Sequence, residues 1–134
     1  MSVWIKAMGK VVTDCEVNDE LIAEFIKFSE EHYPVFWGEE HFSNPWYFDD
    51  DNYLCSFSGK FGEMIVWYEH MKREFFNKRG IKLLGEPNYV GETECRYFFS
   101  KMLEEENRDY LKWQEKRKRI LSKCGGSEET TQNN

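Results

Sequence analysis

Residues 53–80 read YLCSFSGKFGEMIVWYEHMKREFFNKRG, and the stretch changes period once. From Tyr53 to Phe61 the side chains alternate. Tyr53, Cys55, Phe57, Gly59 and Phe61 fall on one face, and Leu54, Ser56, Ser58 and Lys60 on the other, which is the two-residue period of a strand. From about Glu63 to Arg79 the apolar positions become Met64, Trp67, Tyr68, Met71, Phe75 and Phe76. That i, i+3, i+4 spacing is the stripe of an amphipathic helix. Glu63 in the first turn, Lys78 and Arg79 in the last, and Gly80 beyond the end suit the helix dipole and a left-handed cap. A strand running straight into a helix is half of a βαβ unit.

The same pair occurs earlier in the chain. Residues 3–13 alternate, with Val3, Ile5, Ala7, Gly9 and Val11 on one face and Trp4, Lys6, Met8, Lys10 and Val12 on the other. Residues 18–33 then take a helical period through Leu21, Ile22, Phe25, Ile26 and Phe28. Asn18 is placed as the N-cap, Asp19 and Glu20 suit the positive end of the dipole, and Val17 with Ile22 suits a hydrophobic staple. Pro34 ends this helix. Residues 34–52 read as a long loop broken by Gly38, Asn44-Pro45 and the Asp49–Asn52 run, with room for a short strand at 46–48. Downstream, 81–84 and 94–100 read as two strands joined through Gly85-Glu86-Pro87-Asn88 and Gly91, and a third helix covers about 101–123. The order predicts an α+β fold: a ferredoxin-like split βαβ sandwich, an antiparallel sheet with two helices, extended by a long C-terminal helix. The resemblance is one of topology alone. Residues 1–124 are expected as a single domain and 125–134 as a disordered tail.

Charge is unevenly placed. Of 25 acidic and 18 basic side chains, residues 1–51 hold 12 acids and 3 bases, so the whole excess behind the net charge of −7 lies there. Between Lys27 and Lys60 no basic residue occurs, while seven acids and a dense set of aromatic residues do. Such a pole argues against direct nucleic-acid binding and for a basic protein surface as partner. The loop 36–51 concentrates the signal. Glu39, Glu40, Asp49, Asp50 and Asp51 would present carboxylates spaced like backbone phosphates, and Trp37, Trp46 and Tyr47 would anchor the contact. The competing reading is an irregular loop whose rings fold back over the sheet and whose acids keep it soluble.

The chemistry-bearing motifs are sparse. Four cysteines at 15, 55, 95 and 124 form no C-x-x-C pair, so no structural zinc site is signalled. Cys55 and Cys95 fall on expected strands and read as buried, inert thiols. The three histidines each follow a glutamate (Glu31-His32, Glu40-His41, Glu69-His70), a spacing that matches no metal pattern. No Gly-x-Ser-x-Gly elbow and no phosphate-binding loop appears. No catalytic residue, metal or cofactor is therefore expected. No apolar run reaches membrane-spanning length and no secretory leader precedes the fold, which predicts a cytoplasmic protein with reduced thiols and no membrane contact.

On the last helix, Phe99, Met102, Leu103, Tyr110, Trp113, Ile120 and Leu121 fall on a stripe interrupted by Glu106 and Arg117. Its length suits a homodimer through the far half of this helix, and its basic run Lys116-Arg117-Lys118-Arg119 suits nucleic-acid contact or pairing with the acidic loop of a neighbouring copy; the competing reading is a helix that packs by its first half and frays at its end. The reading is a small acidic protein-binding module, such as an inhibitor or nucleic-acid mimic of phage or mobile-element type acting on a basic nucleic-acid-handling protein. One rival is a small-molecule binder or enzyme that uses the sheet face with 36–51 as a lid. The other is a structural homo-oligomer.

Overall fold

The computed structural model describes residues 4–8, 10–35, 42–91 and 96–125. The alternating N-terminal stretch forms β1 (Trp4–Met8) and β2 (Val12–Thr13). Helix α1 covers Asp19–Glu31, and the Asn18 side chain accepts a hydrogen bond from the Leu21 amide at 2.9 Å, the expected cap. Ile22, Phe25, Ile26 and Phe28 are its buried face. β3 (Trp46–Phe48) and β4 (Leu54–Ser56) make an antiparallel hairpin across part of the expected long loop. After β5 (Gly59–Lys60) the chain turns at once into α2 (Phe61–Met71).

Helix α2 continues through a π-turn at Lys72–Phe76 and a single 3-10 turn at Asn77–Arg79, and Gly80 closes it at φ 72°. The wider turn has a purpose in packing: the adjacent residues Phe75 and Phe76 are both fully buried, which one face of a regular helix rarely allows. Then come β6 (Leu83–Leu84), β7 (Asn88–Gly91) and α3 (Arg96–Ile120), whose end winds into a π-turn at Leu121–Gly125.

Two expectations are corrected. The predicted strand 94–100 is not formed: residues 96–100 are helical, and the strand is Asn88–Gly91, inside the stretch read as a connection. Aromatic residues favour strands only where a sheet face receives them, and here β1 pairs with 88–91 instead. The strand expected at 53–61 is split into β4 and β5, and both of its faces are covered, with Cys55 and Phe57 partly buried against the core. Leu54 and Ser56 point into the core, because across the hairpin they sit opposite Phe48 and Trp46. Tyr53 is 37% exposed, and Phe61 begins a helix rather than ending a strand.

The strands pair as three small antiparallel sheets, β5-β1-β7, β2-β6 and β3-β4. Their registers are related. Ile5 to Met8 pair with Gly91 to Asn88, and Val12 and Thr13 then pair with Leu84 and Leu83, one residue back for each residue forward throughout. On its other side the same N-terminal segment meets Lys60 and Gly59 through Trp4 and Ile5, and Leu54 through a bridge at Val11. That second ladder slips by one residue between its ends. Inside the slip, the buried Ser56 hydroxyl accepts the Ala7 amide at 3.0 Å, so the donor is satisfied by a side chain where the backbone ladder does not reach it.

One side of these strands packs on α1 and α2. Phe25 meets Phe48 and Phe75 edge-on at 5.1 and 5.5 Å, and the Trp46 ring nitrogen donates to the Met64 carbonyl at 3.3 Å. The other side is covered by α3. Tyr47 stacks on Phe57 at 4.2 Å and leans on Trp113 at 5.8 Å. β3 is thus buried on both faces, and Trp46, Tyr47 and Phe48 are all core residues.

Candidate functional site

The hairpin tip between β3 and β4 carries Asp49, Asp50 and Asp51, three of the five acids that the sequence singled out, and its local chemistry is organised by Asp49. One carboxylate oxygen of Asp49 accepts the amides of Asp51 and Tyr53, both at 2.9 Å, and the other accepts Lys10 Nζ at 2.9 Å. Aspartate at a turn position favours this bonding to its own backbone two residues on. Asn52 takes the left-handed conformation, φ 65°, that completes the tip. Burial alone would raise the Asp49 pKa, but the Lys10 hydrogen bond and the two amides outweigh it and hold the carboxyl below its ordinary value.

Lys116 of α3 reaches under the tip. Its ammonium donates to the Asp49 carbonyl and to Asn52 Oδ1, each at 2.6 Å, and the residue is 8% exposed. Burial lowers its pKa, partly offset by Asp49 and Asp50. Asn52 Nδ2 in turn donates to the Val17 carbonyl at 3.1 Å, just before the α1 cap. That contact joins two acidic segments into one end of the molecule, with Asp50 and Asp51 on one side and Glu16, Asp19 and Glu20 on the other. Glu16, Glu20, Asp50 and Asp51 are exposed there.

The basic-free stretch is therefore not without counter-charge. Lys10 neutralises Asp49, Lys112 lies 3.8 Å from Asp50 and Arg117 pairs with Glu30; outside the stretch, Arg119 and Lys123 pair with Asp19. Three residues of the basic run, Lys116, Arg117 and Arg119, make contacts within their own chain. The charges that interrupted the α3 stripe behave alike: Glu106 accepts the Ser58 amide at 2.8 Å and its hydroxyl at 2.9 Å, with Lys6 at 3.5 Å.

Of the expected contact residues, Asp49, Asp50 and Asp51 come together at the tip. Trp46 and Tyr47 lie in the core at 2% and 6% exposure, where they cannot anchor a partner without unfolding the hairpin. Trp37, Glu39 and Glu40 lie outside the described residues. Lys116 and Asn52 were missed. Lys116 shares a stripe with Trp113 and Ile120, so its inward position was legible from spacing alone.

Elsewhere, an open groove of about 1080 Å³ between α1 and α2 is floored by Phe28, whose ring stacks with His32 at 5.7 Å and His70 at 5.2 Å. His70 Nε2 lies 2.6 Å from the His32 carbonyl, tying the end of α1 to α2. A second cleft, about 650 Å³, is lined by Trp4, Trp46, Phe57, Tyr110 and Trp113. Among the described residues no three histidine, cysteine, aspartate or glutamate side chains converge as metal ligands, and no helix is long and apolar enough to cross a membrane. The Cys55 thiol is half-buried, and burial, reinforced by Asp49, pushes its pKa up to about 12, far from a reactive thiolate. Cys95 and His41 lie outside the described residues. No family model, no curated protein and no solved structure matches the chain.

Proposed function

We propose that this protein is a binding module for a basic protein surface, and that its contact is the acidic end where the β3–β4 tip meets the start of α1. The observation that carries the reading is the Asn52–Val17 contact, which brings exposed acids from two distant segments together on one braced support. Bracing matters because a contact surface held in place before binding loses less entropy on association. A partner that ordinarily holds nucleic acid fits the same logic, since carboxylates on such a support stand where phosphates would. The shared registers and the chain order also support reading the three sheets as one four-stranded antiparallel sheet of ferredoxin-like type, with α3 as an added cover.

The test is affinity capture from the source cells at low and high salt, with wild type beside an E16K/E20K/D51K variant. These positions are exposed, and Asp49 is left intact because it builds the turn. The expected result is a basic protein retained at low salt, released at high salt and absent with the variant, while circular dichroism stays unchanged. Equal recovery by variant and wild type refutes the reading. A second reading, a small-molecule binder, is favoured by the aromatic cleft beside α3, where Trp4 and Tyr110 remain 42% and 46% exposed.

A further inference from the structure

Six charged groups of α3 and its terminal turn, Glu106, Lys112, Lys116, Arg117, Arg119 and Lys123, pair with their own chain. A different stripe runs along the outer side: Glu104, Arg108, Leu111, Glu115 and Lys118. Steps of four, three, four and three keep these five on one helix face. All five are exposed, and Leu111 is 57% so, directly opposite the Trp113 and Ile120 side that meets the core. Among the described residues, none of the four charged groups in the stripe enters an ion pair.

The stripe reads acid, base, leucine, acid, base. Read from the other end, every charge changes sign. Two copies laid antiparallel about a two-fold axis through Leu111 therefore set Glu104 beside Lys118, Arg108 beside Glu115, and Leu111 against itself. Each ion pair occurs twice by symmetry, and the contact is isologous, as a closed dimer requires. A parallel pairing would instead oppose like charges along the whole stripe. We propose that the outer face of α3 is a self-association surface that receives a second copy of this chain in the antiparallel sense.

The interface is modest. The 25 residues of α3 extend about 37 Å, and one helix pair buries less than the roughly 1,200 Å² of stable complexes. The dimer is accordingly weak and concentration-dependent. Sedimentation equilibrium on the full chain from about 10 μM to about 1 mM reads it directly. The apparent mass should rise from monomer toward dimer across that range. E104K and K118E should each weaken association by about tenfold or more, and the double variant E104K/K118E should regain it. Positions 104 and 118 are roughly 21 Å apart along one helix, so recovery can arise only between molecules. Circular dichroism serves as the fold control for these exposed substitutions. A monomer at every concentration, or a double variant no tighter than the singles, overturns the proposal.

Discussion

Asp49 looks, in the sequence, like one of three equivalent acids, yet its carboxylate is committed to two amides and one lysine while its neighbours at 50 and 51 face solvent. Its pKa is held down in the folded state, so folding there favours the deprotonated form. The stabilisation is complete above the ordinary aspartate value of about 3.9 and disappears as pH falls through the lower folded value. Asp49→Asn should cost about 1–2 kcal/mol at neutral pH and flatten the acid limb of stability, read by urea unfolding between about pH 6 and 3. An acid limb as steep as wild type would contradict this assignment. Charge alone could not separate Asp49 from Asp50 and Asp51, but turn chemistry could: Asp-x-Asp-Asn is a stretch whose side chains bond locally. Trp46 and Tyr47 illustrate the opposite difficulty. Rings in an apparent loop are equally consistent with an anchor and with a core, and the hairpin that buries them depends on pairing with residues 54–56, which the loop's own sequence does not record.

At the level of elements, both amphipathic helices were legible because their stripes are long and uninterrupted; all six apolar positions assigned to α2 are in fact buried. The strands were less legible. Asn88–Gly91 contains glycine and asparagine and has little strand character of its own, so it exists by virtue of its partner β1. Helix α3 was placed correctly over most of its length, but its cover of this chain's own core was not anticipated. Its second half carries Trp113, Lys116 and Ile120 inward and packs on this chain. Trp113→Ala should cost about 3 kcal/mol through the lost contact with Tyr47 and the cavity left behind. Hydrogen exchange should show protection falling first in residues 106–120, with α1 and α2 holding theirs. Uniform loss of protection would mean that α3 does not act as a separable cover.

For the molecule as a whole, the α+β class followed from the alternation of strand and helix periods, whereas the splitting of the strands did not. Breaks such as the one-residue slip answered by Ser56 depend on contacts distant in sequence, which no local pattern records. The shared register of 5–8 against 88–91 and of 12–13 against 83–84 makes a specific prediction. Val12 and Leu84 are directly opposed and both partly exposed, at 41% and 48%. In a Cys15→Ser background, V12C/L84C should oxidise readily and raise stability by about 2–4 kcal/mol, since the crosslink closes a long loop. Failure to crosslink in the folded protein would argue against that pairing. Part of the charge asymmetry is internal at the same scale, because Asp19, Glu30 and Asp50 pair with basic groups of α3 and its terminal turn.

The segment around β1 and β2 has neighbours on both sides, yet it is made before either of them. Its partners lie at residues 54–60 and 83–91. Until residue 91 has left the ribosome, one edge of this strand has nothing to pair with. Contacts so distant in sequence slow folding, and an unpaired edge is open to other chains in the interval. The cost of this architecture therefore falls during synthesis, when a nascent chain stopped short of β7 is an incomplete sheet looking for a strand.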